Sequence, residues 1–256
     1  MTSRNITADS LYLPERVKTG TIASMRATNA TLPDLESHAV ARQRRRDLLE
    51  LWVGYALIIV VIWTPRPWQK IFYFIAAAFI VTATCISFPG WKAVGLRTAN
   101  LARSAWIVPT ALLAAAIAIV VAGRIHTLHA PGTPILFLQR FAGYILFACI
   151  QQALLQAYFL PRLLRLTRTP NSAALAAAVI FSLAHLPNPI LTVITLFWGL
   201  ISCLLFLRYR NLYPLAIAHA ILGVTVAICV PGPTIHNMRV GLGYLTYSQH
   251  IHHRNY

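Results

Sequence analysis

Apolar runs separated by short breaks of proline, glycine, asparagine and arginine divide the chain after about residue 48 into seven segments. They cover about 48–64, 70–88, 105–122, 136–161, 171–186, 189–207 and 213–230. The breaks are abrupt: Pro65-Arg66-Pro67 closes the first segment, Pro89-Gly90 the second and Pro231-Gly232-Pro233 the last. A loop containing glycine and proline runs from Gly123 to about Pro134, and Asn171 and Ser172 after Pro170 are expected to cap the fifth segment. About 20 helical residues cross a hydrocarbon core. The expected fold is therefore all-α, a polytopic membrane helical bundle of about seven spans. The expected organisation is a flexible cytoplasmic extension over 1–47, a membrane helical domain over 48–231 and a C-terminal tail over 232–256.

Composition agrees with this pattern. The chain of 256 residues is 57% hydrophobic and 11% charged, where a soluble domain carries about 25% charged residues. The formal charge of +16 follows topology better than it follows nucleic acid, which is excluded as the expected partner. With the N-terminus inside, the inner segments hold Arg42 and Arg44 to Arg46, then Lys92, Arg97 and Arg103, then Arg162, Arg165 and Arg168, then Arg208 and Arg210. The outer segments are poorer in charge, so the positive-inside rule favours N-in. An even span count is the alternative, if the third or fifth segment lies in the interface. The lipid bilayer is the expected partner. The basic run before the first span reads as an anchor at the cytoplasmic surface. Residues 1–47 contain no signal-type apolar segment, and Asn5 and Asn29 open triplets of the glycosylation type.

Every acidic residue lies in the first fifty positions: Asp9, Glu15, Asp34, Glu36, Asp47 and Glu50. From Leu51 to Tyr256 there is no acidic side chain, so chemistry in the membrane is expected to do without a carboxylate from this chain. Cys85, Cys149, Cys203 and Cys229 follow no ligand or disulfide spacing and read as small buried hydrophobes. The tail holds His236, His250, His252 and His253; without a scaffold or a fourth ligand these do not read as a metal site, and no metal is expected. No sequence signal identifies a cofactor.

Against this apolar background three polar insertions stand out. Gln151, Gln152 and Gln156 interrupt the fourth segment, His185 follows Phe181 by four residues in the fifth, and His219 precedes Gly223 by four in the seventh. Spacing of four places two residues on one helix face. Polar side chains in lipid turn toward the bundle interior or a water-filled cavity, so three such faces are expected to meet around one polar site. A lone glutamine would more often be a helix-to-helix hydrogen bond worth about 0.6 kcal/mol. Two imidazoles can move protons, hold metal or stabilise an oxyanion, and glutamines can only orient. These residues alone leave enzyme, binding pocket and proton relay open, although the absence of Asp, Glu and Lys from the last four spans disfavours a relay. In the linear order of the spans, His185 lies toward the outer end, His219 toward the inner end and Gln151 near the middle.

The order of these motifs resembles the CPBP family of intramembrane proteases, which includes the type II CAAX prenyl proteases and bacterial bacteriocin-processing and immunity proteins. The family pattern is Glu-Glu-x-x-x-Arg, Phe-x-x-x-His and His-x-x-x-Asn, and the resemblance covers about 136–230. The flanks Tyr158-Phe159-Leu160-Pro161-Arg162-Leu163 and Phe181-Ser182-Leu183-Ala184-His185-Leu186-Pro187-Asn188 follow it closely, as does Arg208-Tyr209-Arg210-Asn211-Leu212-Tyr213-Pro214 before His219. The resemblance implies an integral membrane protein of a bacterial inner (plasma) membrane that hydrolyses peptide bonds, with a peptide or prenylated protein as substrate. It places His185 and His219 at the two catalytic histidines and Gln151 at the glutamate that activates water. Gln152, Gln156 and Gly223 stand at the second glutamate, the arginine and the asparagine. Both histidines are kept and every charged member is neutral. A Gln-Gln-Gln set avoids burying unpaired charge, as a remodelled site should. An endopeptidase with altered activity and an inactive pseudoprotease that binds a membrane ligand both fit, and Tyr158 and Ser182 are open as stand-ins for the lost groups.

Overall fold

The computed structural model describes residues 32–247, apart from Pro89 and Ala99; side chains are described from Glu36 onward in the first helix. The described residues from Arg42 onward group as one compact unit. Among the described residues every secondary-structure element is a helix or helical turn. The helices are α1 (Leu32–Trp63), α2 (Arg66–Ile86), short α3 (Trp91–Val94) and α4 (Leu101–Ser104), α5 (Ile107–Arg124) and α6 (Pro134–Ala153). One π-helical turn, Leu154–Phe159, joins α6 to α7 (Leu160–Leu166). Then come α8 (Pro170–Leu183), α9 (Pro189–Tyr209), α10 (Tyr213–Cys229), α11 (Gly232–Ile235), a 3-10 turn and α12 (Gly241–Leu245). Among the described residues four helical stretches are long and apolar enough to cross a membrane: Arg66–Ile86, Leu101–Arg124, Pro134–Leu166 and Pro189–Tyr209. Large apolar side chains such as Phe74, Leu113, Leu146 and Phe197 are exposed, as lipid-facing surfaces require.

The helix ends fall where the punctuation sets them. Proline opens α6, α8 and α9 at the first helical position, where its missing N–H costs nothing. Asn188 caps α9 and accepts from Leu191 N. The cap of α8 is Thr169, in a reciprocal capping box with Ser172; Asn171 lies inside the helix, because Pro170 takes the first helical position and the cap falls two residues before Asn171.

The extension expected over 1–47 is helical from Leu32, and α1 continues into the first apolar segment. Helical pairs four apart, Gln43 with Asp47 at 3.2 Å and Arg46 with Glu50 at 2.7 Å, support its polar half; residues 1–31, with Asn5 and Asn29, lie outside the described residues. The tail folds back through Tyr247. Asn188 Nδ2 donates to Ile235 O at 2.9 Å and Arg239 O at 3.2 Å, and Gly241 N donates to Leu186 O at 2.8 Å. The His236 ring lies on Tyr244, with centroids 3.9 Å apart. His250, His252 and His253 lie outside the described residues.

Small residues bring α8 and α9 together. Ala173, Ala174, Ala177 and Ala178 are fully buried, and a Cβ at Gly199 would stand 3.2 Å from Ala178 Cα. Without a hydrophobic drive between helices in lipid, such close approach supplies the packing. At the end of the bundle where α1 carries Asp47 and Glu50, two ion pairs tie α1 to α7. Arg165 meets Asp47 at 2.6 Å and Arg162 meets Glu50 at 2.6 Å. Tyr158 also donates to the Glu50 backbone carbonyl.

Candidate active site

The glutamines occupy the last turn of α6 and the π-helical turn after it. A π turn shifts the face of the following residues and often marks a functional segment. Gln152 and Gln156 are both fully buried, whereas Gln151 is half-buried and lines a cavity.

A directional chain of hydrogen bonds runs from α9 to α10. The Gly199 carbonyl can only accept, and Ser202 Oγ donates to it at 3.1 Å. Ser202 Oγ accepts from Gln156 Nε2 at 3.3 Å, and the same amide donates to Gln152 Oε1 at 3.3 Å. Gln152 Nε2 then faces His219 Nδ1 at 3.2 Å. An amide NH2 has only protons to give. His219 Nδ1 is therefore the acceptor, and its proton sits on Nε2.

His185 is set the other way. Its Nδ1 lies 2.8 Å from the Phe181 carbonyl oxygen, which can only accept. Nδ1 carries the proton, and Nε2 keeps its lone pair. The hydrogen bond at one ring nitrogen thus decides the chemistry of the other. The two imidazoles hold opposite tautomers, one offering a base and the other a donor.

The Phe181 ring makes edge contacts to both, with centroids 5.0 Å from His185 and 5.9 Å from His219. Both histidines, Phe181 and Gln151 line one cavity of about 1390 Å³, larger than the roughly 300–1,000 Å³ of ordinary small-molecule sites. The separation in level suggested by the linear order of the spans is bridged because α8 has only 14 residues: the chain turns before His185 can be carried far from His219. Apolar side chains from α1, α2, α6 and the π-helical turn line much of the wall, with Tyr144 among them.

Gln151, Phe181, His185 and His219 thus share a cavity, while Gln152 and Gln156 stand behind it and orient His219. Gln156 Oε1 and Trp198 Nε1 are buried with no hydrogen-bond partner among the described residues. Gly223 is buried on α10, and the hydroxyl of Tyr144 fills the space over it. Tyr144 was not singled out by motif. It lies seven residues before Gln151, two turns back on the same face of α6, and that spacing was the available signal. Tyr158 and Ser182 are structural: Tyr158 is tied to α1, and Ser182 Oγ donates to Val179 O within its own helix at 2.9 Å. Among the described residues no three His, Cys, Asp or Glu side chains gather in a metal-holding group.

Residues 134–225 match the family model of the Rce1-like type II CAAX prenyl endopeptidases. No curated protein and no solved structure matches the chain.

Proposed function

We propose, from the match of residues 134–225 to the Rce1-like family model, that this chain is a CPBP/CAAX-type intramembrane endopeptidase whose base is a histidine in place of a carboxylate. The substrate is a peptide or the lipidated end of a prenylated protein, held in the apolar cavity. The protein crosses the membrane about seven times with its N-terminus inside, in a bacterial plasma membrane. The observation that carries the proposal is the opposed surroundings of the two imidazoles: His219 Nδ1 faces the Gln152 amide nitrogen, and His185 Nδ1 faces the Phe181 carbonyl oxygen.

In this mechanism His185 Nε2 takes a proton from a water molecule that Gln151 orients. The water oxygen bonds to the scissile carbonyl carbon, and the developing oxyanion accepts from His219 Nε2–H. His185 then passes its proton to the departing amine as the C–N bond breaks. Gln152, Gln156 and Ser202 act as positioning residues, because their chain of donors keeps the proton on His219 Nε2. General-base help is typically worth about 10²–10⁴ in rate, and one oxyanion donor about 10²–10³.

The test is cleavage of farnesylated or unmodified fluorogenic peptides by the purified full chain in lipid nanodiscs. Cleavage abolished by His185→Ala supports the proposal, and no cleavage sensitive to that change across the peptide panel refutes it. One observation favours a second reading, a ligand-binding pseudoprotease: among the described residues the cavity wall contains no carboxylate, and Asp47 and Glu50 are engaged by Arg165 and Arg162. That reading expects peptide binding without cleavage. It fails if a folded His185→Ala, His219→Ala variant binds the peptides normally yet loses the cellular phenotype of the wild type.

A further inference from the structure

The space over Gly223 shows how the site is completed from α6. Gly223 lies four residues beyond His219 on α10, so the two share a face and their Cβ positions would be about 5–6 Å apart. A Cβ at 223 would collide with the Tyr144 hydroxyl oxygen and stand 2.6 Å from Tyr144 Cζ. Only glycine leaves room for the phenol to reach this far. The ring itself packs in an apolar cluster with Phe137, Phe141, Val224 and Ile228. Tyr144 is half-buried, and its hydroxyl has no hydrogen-bond partner among the described residues. Tyr144 lines the same cavity as His185, His219 and Gln151. One wall therefore offers a spare O–H from α6 and an Nε2–H from α10 within about one helical turn, and the lone pair of His185 opens on the same cavity.

Building on the hydrolase reading above, we propose that the Tyr144 hydroxyl is a second oxyanion donor, and that Gly223 is required because it makes room for it. Each donor alone is an ordinary hydrogen bond to a neutral carbonyl. Both strengthen when the oxygen gains charge, which is the differential binding that lowers a barrier. Gly223 is then a positioning residue acting through Tyr144.

The experiment uses the full chain in nanodiscs and two farnesylated peptides. One carries the scissile amide, and the other a phosphinate in its place, a stable anionic mimic of the tetrahedral intermediate. Tyr144→Phe keeps the ring and removes the donor. It is expected to weaken phosphinate binding about ten- to hundredfold, as losing a hydrogen bond to a charged group does, and to leave amide binding within about twofold. Gly223→Ala displaces the hydroxyl and is expected to give the same selective loss. Tyr144→Ala with Gly223→Asn returns an amide donor to the vacated space and is expected to recover phosphinate affinity. Equal phosphinate affinity in wild type and Tyr144→Phe overturns the proposal, as does a wild type that binds phosphinate no tighter than amide. Cleavage of the amide peptide by wild type is read separately. Its absence counts against the hydrolase reading, while the phosphinate comparison still decides the role of Tyr144.

Discussion

Removing Glu50 tests what holds α1 to the bundle. Arg162 is 1% exposed, and all three of its nitrogens are engaged. Nε donates to Glu50 Oε2 at 2.7 Å, Nη1 to Tyr158 O at 2.8 Å, and Nη2 to Ala83 O at 3.2 Å and Ser87 Oγ at 3.1 Å. The guanidinium also lies 4.0 Å from the centre of the Tyr158 ring. Among the described contacts of Arg162, Glu50 is the one counter-charge. Glu50→Ala leaves a buried guanidinium with neutral acceptors alone, and breaking a buried pair in this way costs about 3–5 kcal/mol. The second partner of Glu50, Arg46 at 2.7 Å, is about one-third exposed, and its loss adds at most about 1 kcal/mol. The expected loss is therefore dominated by Arg162. Chemical unfolding of the full chain in detergent micelles measures it. Glu50→Ala with Arg162→Met removes both charges and is expected to recover most of the loss, since an apolar pair of similar volume is often neutral. A single variant within about 1 kcal/mol of wild type, or a double variant no better than the single, refutes the reasoning.

Three further outcomes follow from the same contacts. Gln152→Glu puts an acceptor where an amide now donates, so the His219 proton is expected to move to Nδ1; nitrogen-15 NMR of histidine-labelled protein reads the exchange, and an unchanged His219 spectrum contradicts the donor chain. Asn188→Ala removes the α9 cap and two bonds to the tail. It is expected to cost about 1–3 kcal/mol and to open residues 235–247 to limited proteolysis, so a tail as protected as in wild type argues against this anchor. Ala178→Leu overpacks the α8–α9 contact, where Gly199 already stands close to Ala178, and is expected to cost about 1–3 kcal/mol. Full stability in the unfolding assay would show that the contact is loose.

Much of the fold was legible because its signals are local. Pro65, Pro170, Pro189 and the Gly232 pair of prolines end or start helices wherever they stand, and the helix ends from α2 to α10 fall within a few residues of the punctuation. The polar half of α1 was not legible, because a charged stretch reads as an extension until its pairs four apart and its distant arginine partners are seen. Glu50 and Arg162 are 112 positions apart, and nothing local links them. At the site, spacing gave the faces of Gln152, Gln156, His185 and His219 but not the direction of any proton. That direction depends on which atom of Gln152 faces His219 and on the Phe181 carbonyl. Tyr144 was hidden for a related reason: an aromatic in an apolar span acquires meaning from the glycine opposite it, on a helix about eighty residues later.

The most direct test of a histidine-based intramembrane endopeptidase is single-turnover cleavage of a farnesylated fluorogenic peptide by the full chain in nanodiscs, compared with His185→Ala. Wild type is expected to release the cleaved product, and His185→Ala to be slower by about 10²–10⁴, with peptide binding retained. Equal rates in the two proteins, or binding without any cleavage in wild type, would contradict it.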